Sequence, residues 1–462
     1  MPEVIIGVGT NLGDRLAHLR RGVRGLRGRA PEFRVRSISP VYESDALVPE
    51  GAPEAWRRPY LNLAVRAEWD DGPEVLLRSL KSLETMLGRG PRARWEPREV
   101  DLDLLAFGDL VVVTSELTLP HPGLANRPFA LLPFADVAPT WRFPPGASDL
   151  AGQTAQEAAS RWRGPPDRVP FNARRTPLSL TEIVAVLNLT PDSFSDAGRY
   201  LDPVRAAEHA LAMVDAGATV VDLGAESTRP GAATVPLDPE EEWRRLEPVL
   251  SRLVAGPRAG GGSRALLSVD TRHPETAERA IAAGANWIND VTSLRDPAML
   301  DVVVPRAVDL VLMHSVTVPP APDQTIPTDG DPVKFLLGWG AGRLAELAAH
   351  GVERARLILD PGIGFGKTPD QSVEILRRAD ALATLSARVL VGHSRKSFLA
   401  GWFPPDHPAA QNPAARDFES ALIAGHLAGL AVDYVRVHDV EHASRALRAV
   451  SSLAGPRHCT GP

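Results

Sequence analysis

From Ile183 onward the chain alternates short apolar runs with alanine-rich stretches of helical composition, and this rhythm constrains the fold more than any other feature. The runs are Ile183–Leu189, Thr219–Leu223, Ala265–Val269, Trp287–Ile288, Leu310–Met313, Leu357–Leu359, Arg388–Val391 and Tyr434–Val437. Eight strands with helices between them, over about 270 residues, predict a (β/α)8 TIM barrel. A doubly wound sheet would more often show fewer units and a glycine-rich first turn. Polar residues stand at or just beyond the end of every run: Asn188, Asp222 with Glu226, Asp270, Asn289 with Asp290, His314, Asp360, Arg395 with Lys396, and Arg436 with His438. One Asp after a strand is usually a helix cap. Polar residues at all eight ends instead describe a single mouth, because barrel enzymes build their sites at that rim.

The first part of the chain has no such repeat. Val4–Val8, Tyr60–Trp69 and Val100–Phe107 read as strands, while 11–27 and 73–87 read as helices. The mixture suits an α+β, ferredoxin-like sandwich. Pro- and Arg-rich punctuation comes next, so the expected domains are 1–163, a linker at 164–180, the barrel at 181–455 and a tail at 456–462.

Composition removes other classes. At 44% hydrophobic and 23% charged residues the chain is globular. Its net charge of −6 argues against broad nucleic-acid binding. Cys459 is the only cysteine, so neither an internal disulfide nor a cysteine zinc site is available. The N-terminus lacks the pattern of a secretory leader, and no apolar stretch reaches the roughly 18 residues that span a bilayer. A cytoplasmic protein without membrane attachment is expected.

The densest constellation in the first part runs from Arg89 to Leu105. Asp101 and Asp103 alternate with apolar residues, which puts both carboxylates on one face of a strand, ~7 Å apart. Paired acids at that distance can hold Mg2+ against polyphosphate oxygens, and guanidinium groups just upstream match phosphate. A solvated basic loop beside an edge strand would be the plainer reading; the D-x-D pair with Leu102, Leu104 and Leu105 opposite weighs against it. Two decoys fall away. Gly7-Val8-Gly9-Thr10-Asn11-Leu12 lacks the third glycine of a dinucleotide fingerprint, and the segment before Lys367 has Pro361 where a P-loop needs its first glycine.

Arg94-Trp95-x-Pro97-Arg98-x-x-Asp101-Leu102-Asp103, together with Gly7–Asp14, Tyr60-Leu61-Asn62 and Pro120–Phe129, resembles hydroxymethyl-dihydropterin pyrophosphokinase. That resemblance implies Asp101 and Asp103 as Mg2+ ligands and Arg94 as a further catalytic group. Around ATP it places Arg89, Arg92, Arg94, Trp95, Arg98, His121 and Arg127. Ser44, Leu47, Tyr60, Asn62 and Phe129 would line the pterin pocket. The loop between Gly88 and Arg94 is one residue shorter than in some members.

The barrel half resembles dihydropteroate synthase. The motifs are Asn188–Asp196, Glu226–Ala232, Ser268–Thr271, Ile288–Asp290, Leu359–Lys367, Ser394–Phe398 and Arg436–Val440. By this resemblance Asp270, Asn289, Met313, Asp360, Phe365 and Lys396 bind a pterin, with Lys396 also catalytic. Asn188 would help hold Mg2+, and Asn188, Thr228, Arg229, Arg436 and His438 the pyrophosphate. Phe194, Thr228, Pro230 and Ser397 would frame p-aminobenzoate, and two copies would pair through the barrel. Ser315–Pro320 stands where the family has a Met-Arg-Gly-like continuation, so an altered rim beside Met313 is expected. The alternatives are an active kinase joined to a non-catalytic pterin-binding barrel, or a barrel that transfers methyl groups from a pterin.

Overall fold

The computed structural model describes residues 2–27, 29, 33–90, 95–146, 148–162, 173–176, 178–190, 202–226, 237–256, 265–321, 323–385, 387–430 and 432–453. Two compact units are present, one made of Met1–Leu180 with Arg448–Pro462 and the other of Thr181–Leu447.

In the first unit an antiparallel sheet is built from β1 (Glu3–Thr10), β2 (Phe33–Ile38), β3 (Val41–Ser44), β4 (Tyr60–Trp69) and β5 (Asp101–Phe107). Its order is β5-β1-β4-β3, and β2 lies end to end with β3 along β4. Ser39 bridges the break between them: its N–H donates to the Ala64 carbonyl, and its hydroxyl accepts from the Ala64 N–H, both at 2.9 Å. Strand periodicity splits the core in two. Val4, Ile6 and Val8 face α1 (Arg15–Arg27) and α2 (Pro73–Met86), whose Leu19, Leu26, Leu76 and Leu80 are fully buried. Each such leucine contributes about 1.5–3 kcal/mol. Ile5, Ala64 and Leu105 face the other way, against α3 (Pro128–Val137) and α4 (Ala155–Ser160). A short hairpin pairs β6 (Val112–Val113) with β7 (Thr118–Leu119).

The segment expected as a linker holds a strand. β8 (Ala173–Thr176) pairs antiparallel with β3, from Ser44 opposite Ala173 to Val41 opposite Thr176. Its Arg175 reaches Asp136 at 3.2 Å and lies over the Tyr42 ring, whose hydroxyl donates to the same carboxylate at 2.8 Å. The sandwich therefore borrows its edge from residues after the punctuation. Sequence periodicity also missed β2, β3, α3 and α4, the last three of which are too short or too uniformly apolar to show a period.

The second unit is a closed parallel barrel of β9 (Glu182–Asn188), β10 (Val220–Gly224), β11 (Leu266–Asp270), β12 (Trp287–Asp290), β13 (Asp309–Met313), β14 (Leu357–Asp360), β15 (Arg388–Gly392) and β16 (Tyr434–Val437). Outside it run α5 (Pro203–Asp215), α6 (Pro239–Ala255), α7 (Pro274–Ala282), α8 (Pro297–Val303), α9 (Pro332–Ala349), α10 (Pro369–Arg377), α11 (Pro408–Gln411), α12 (Asp417–Gly429) and α13 (Val440–Leu453). Seven of these helices, α5 to α11, begin with proline. Asp202, Asp238, Asp296 and Asp331 each cap a helix whose first residue is proline, a position where the missing N–H costs nothing.

Inside the barrel the side chains form layers. Val184, Val220, Trp287, Val311, Ile358, Leu390 and Tyr434 make an apolar floor, with Trp287 edge-on to Tyr434 at 4.9 Å. Two residues further along the same strands stand Val186, Asp222, Asn289, Met313, Asp360, Gly392 and Arg436, four of them polar or charged. The period of two thus lifts the chain from a dry floor to a polar mouth in one step. Among the described residues no helix is long and apolar enough to cross a membrane.

Candidate active sites

In the first unit, β5 presents Asp101 opposite Gly9 and Asp103 opposite Gly7, both carboxylates on one face as the alternation requires. Arg89 donates to Asp101 at 2.7 Å and Arg98 to both its oxygens at 3.2 Å. Burial works against the Asp101 charge, but the two guanidinium groups overcome it and hold its carboxyl below the ordinary value. Among the described residues Asp103 has no such hydrogen-bonded pair. Burial, then the Asp101 charge, pushes it up to about 7. Two close acids, only one of them gripped by guanidinium groups among the described residues, have the donor chemistry of a divalent-metal site.

His121 receives the Gly123 N–H on Nδ1 at 3.0 Å, which assigns its proton to Nε2; burial and then Arg127 pull its pKa to about 4. Arg127 folds back on Gly123, where an added Cβ would lie 2.8 Å from its side chain, and its guanidinium is 5.9 Å from the Phe129 ring. Asn62 donates to Ser44 at 3.0 Å, both buried. Tyr60 is half-buried beside the charges of Arg98 and Asp101, and Leu47 lies just beyond β3. Trp95 has the left-handed φ of 80°. Arg92 and Arg94 lie outside the described residues.

Two positioning residues escaped the sequence reading. Buried Glu84 gathers Lys81, Arg89 and, at 2.7 Å, the Leu102 N–H, so it holds the basic loop to the start of β5. Asn11 accepts the Arg98 N–H at 2.8 Å and donates to the Arg58 carbonyl at 3.3 Å. Glu84 falls on a helix face that reads as ordinary amphipathic surface; only its place opposite Arg89 gives it a role.

In the barrel, Asn188, Gly224, Asp270 and Asn289 stand at one level on four adjacent strands. Arg436 donates through Nε to Asp222 at 2.6 Å and through Nη2 to Asp270 at 3.0 Å. Asn289 donates to the same Asp222 oxygen at 3.1 Å. Asp222, which the sequence marked only as a strand end, therefore orients both. Burial, then the Asp222 charge, pushes Asp270 up to about 8. Asp360 accepts the Gly362 N–H at 2.7 Å and is raised by burial. Lys396 lies 4.3 Å above the Phe365 ring, and burial pulls it down to about 8. His438 meets the Ser394 hydroxyl at 3.1 Å. Gly362, at φ +64°, passes so close to the His314 carbonyl that a Cβ would sit 2.0 Å from its oxygen. The strand–loop junction that carries Asp360 therefore needs glycine there.

Met313 packs with Val291 and Phe365, and Val318 of the unusual loop joins them. That loop is folded down onto the next one: Ile326 donates to the Gly366 carbonyl at 2.9 Å, and Gln371 donates to the Pro327 carbonyl at 2.8 Å. Ser397 is exposed beside Lys396. Phe194, Thr228, Arg229 and Pro230 lie outside the described residues.

Residues 5–139 match the 7,8-dihydro-6-hydroxymethylpterin-pyrophosphokinase family, and residues 184–438 match the pterin binding enzyme family. A folate synthesis bifunctional protein of Chlamydia trachomatis is 35% identical over 97% of both chains. The chain belongs to the folate synthesis bifunctional family. A mitochondrial member from Pisum sativum is 32% identical, covering 98% of this chain and 89% of its own. Among solved structures, the dihydropteroate synthase of Anaplasma phagocytophilum, with bound 6-hydroxymethylpterin-monophosphate, is similar at 34% identity and a TM-score of 0.51, over 59% of this chain and 99% of that one. The Xanthomonas albilineans synthase with 4-aminobenzoic acid gives 36% and 0.52, over 60% and 94%. Members of this family that span nearly the whole chain favour condensation in the barrel over methyl transfer.

Proposed function

We propose that the two sites serve successive steps on one pterin. The chain is a bifunctional transferase of folate synthesis: ATP-dependent pyrophosphorylation of 6-hydroxymethyl-7,8-dihydropterin, then condensation with p-aminobenzoate to 7,8-dihydropteroate. The observation that carries the residue assignments is the pairing of two unlike constellations in one chain, an Arg-flanked acid pair on β5 and a carboxylate–arginine–lysine ring in the barrel mouth.

In the first site the pterin hydroxymethyl oxygen attacks the β-phosphorus of ATP in line, its bond forming as the bond to the α-phosphate oxygen breaks and AMP leaves. Asp101 and Asp103 would hold Mg2+, which supplies charge against the polyphosphate oxygens. Arg89, Arg98 and Arg127, with Arg92 and Arg94 of the same loop, neutralise charge that builds on the bridging oxygen. Neutral His121 donates from Nε2. Ser44, Asn62, Tyr60, Leu47 and Phe129 hold the pterin so that its oxygen lies in line.

In the barrel Asp270, Asn289 and Asp360 pair with the 2-amino-4-oxo edge, while Met313 and Phe365 flank the ring and Lys396 places its ammonium against it. Arg436 has committed Nε and Nη2 to carboxylates, which leaves Nη1 for the pyrophosphate beside His438, Asn188, Thr228 and Arg229. A single amide such as Asn188 is a weak Mg2+ ligand, so any ion there would be shared with pyrophosphate oxygens. As the carbon–oxygen bond breaks, the electron-rich pterin spreads positive charge from its exocyclic carbon. The amine of p-aminobenzoate, framed by Phe194, Pro230, Thr228 and Ser397, attacks that carbon and then loses a proton. We place this chemistry in the cytoplasm, and a barrel-mediated dimer is supported by the exposed Phe418 and Leu422, one turn apart on α12.

The test is an endpoint assay with the pterin, ATP, Mg2+ and p-aminobenzoate that reads AMP and dihydropteroate separately. Both products are expected; AMP alone would make the barrel a non-catalytic pterin scaffold.

A further inference from the structure

Behind the barrel rim, on the outer side of β10 and β11, three ligand-type side chains converge from three different elements. Glu226 lies just beyond β10, Glu242 lies on α6, and His273 immediately precedes α7. One donor atom from each lies within 4.8 Å of the others. None of the three has a task in either reaction described above.

Acidic clusters are common without a ligand. Here the hydrogen-bond accounting points to one. Glu242 is completely buried; its Oε2 accepts from the Thr271 hydroxyl at 2.7 Å and the Thr276 hydroxyl lies beside the carboxylate, yet among the described residues Oε1 has no partner in hydrogen-bond geometry. Among the described residues His273 Nε2 is likewise a buried atom without a hydrogen-bond partner. A carboxylate oxygen and an imidazole nitrogen have thus both been stripped of water without a replacement, which is costly for each. Such a pair persists where something else completes it.

The surroundings are those of a held ligand set. Arg272 grips Glu226 with both arms of its guanidinium, at 2.8 and 2.9 Å. Glu226 also accepts the Leu237 N–H at 3.1 Å. Carboxylates that bind metals are commonly steadied in this way by outer partners. Two carboxylates against one guanidinium leave a net charge of −1 before any ion enters.

We propose that Glu226, Glu242 and His273 form a binding site for a zinc-class divalent ion, separate from both catalytic centres. The mixed nitrogen and oxygen donors select this class over Mg2+, which prefers all-oxygen shells. With metal–ligand bonds of about 2.0–2.2 Å, tetrahedral donors stand about 3.4 Å apart, so these need to close by up to about 1.4 Å, leaving one position for water. A bound ion would clamp the loops after β10 and β11 to α6. Asp270 lies three residues before His273, so the clamp would stiffen the wall that carries it.

The experiment uses the full-length chain, stripped with EDTA and saturated with Mg2+, titrated with Co2+ or Zn2+ alone. Wild type is expected to take up one Co2+ more than His273→Asn, with visible absorption bands from imidazole-coordinated cobalt. Zn2+ should raise the Tm of the wild type but not of His273→Asn or Glu242→Gln, and affinity at this site should fall at least tenfold in each. Asparagine is well tolerated at the N-cap position that His273 occupies before α7, and retained kinase and synthase activity in Mg2+ certifies that each variant is folded. Equal Co2+ uptake by wild type and His273→Asn would overturn the proposal, as would a Zn2+-induced Tm shift that survives both substitutions.

Discussion

Asp222 holds Arg436 through a 2.6 Å bond to Nε, and the same oxygen of Asp222 receives the Asn289 amide. One buried carboxylate on β10 thereby sets the pose of an arginine on β16 and an asparagine on β12. Asp222→Asn should leave AMP formation unchanged and lower kcat/KM for condensation about 10- to 100-fold, since a hydrogen bond to a charged group is worth about 1.5–3 kcal/mol. Assay of dihydropteroate from supplied pterin pyrophosphate checks it; an unchanged value would remove Asp222 from the site's support.

The two centres should fail independently. Asp101→Ala is expected to abolish AMP release, because Arg89 and Arg98 lose the carboxylate they share, while synthesis from pre-made pterin pyrophosphate continues. Loss of both activities would refute separate sites.

Lys396→Ala should spare AMP release and stop condensation. Burial lowers the Lys396 pKa to about 8, so the ammonium is present below that pH and is lost as pH rises through it. Condensation kcat/KM should accordingly fall above about pH 8, and Lys396→Arg, charged throughout, should flatten that limb even at a lower absolute rate. A wild-type profile level to about pH 10, the ordinary lysine range, would contradict the role given to the ammonium.

Gly362→Ala forces a Cβ onto the His314 carbonyl at a left-handed backbone. Strain of that kind costs about 1–3 kcal/mol before the clash is relieved. A lower Tm for the barrel transition and a loss of condensation are expected, with AMP release intact; a barrel as stable as the wild type would show that the junction can open at no cost.

The barrel was legible because its repeat is periodic at two scales, strand against helix and, within strands, apolar floor against polar rim. Asp270, Asn289, Asp360 and Arg436 announce themselves by standing where strands end. The roles of Asp222 and Glu84 do not show in this way: each contacts no substrate group and acts through a neighbour brought near only by the fold. β2 and β3 share the length of β4 between them; β3 is only four residues long, while Phe33–Ile38 does alternate apolar and polar residues and was overlooked among its arginines. β8 went unread because Ala173-Arg174-Arg175-Thr176 has the polarity of a connector and gains its strand character from β3 alone.

That last pairing has a genetic corollary. Anyone dividing this gene into two stand-alone enzymes would naturally cut within the Gly164-Pro165-Pro166 punctuation, and the upstream product would then lack the strand that closes its own sheet. The peptide between the two activities is not dispensable thread: at least as far as Thr176 it is inherited with the kinase, and a cut that spares that sheet falls after Thr176.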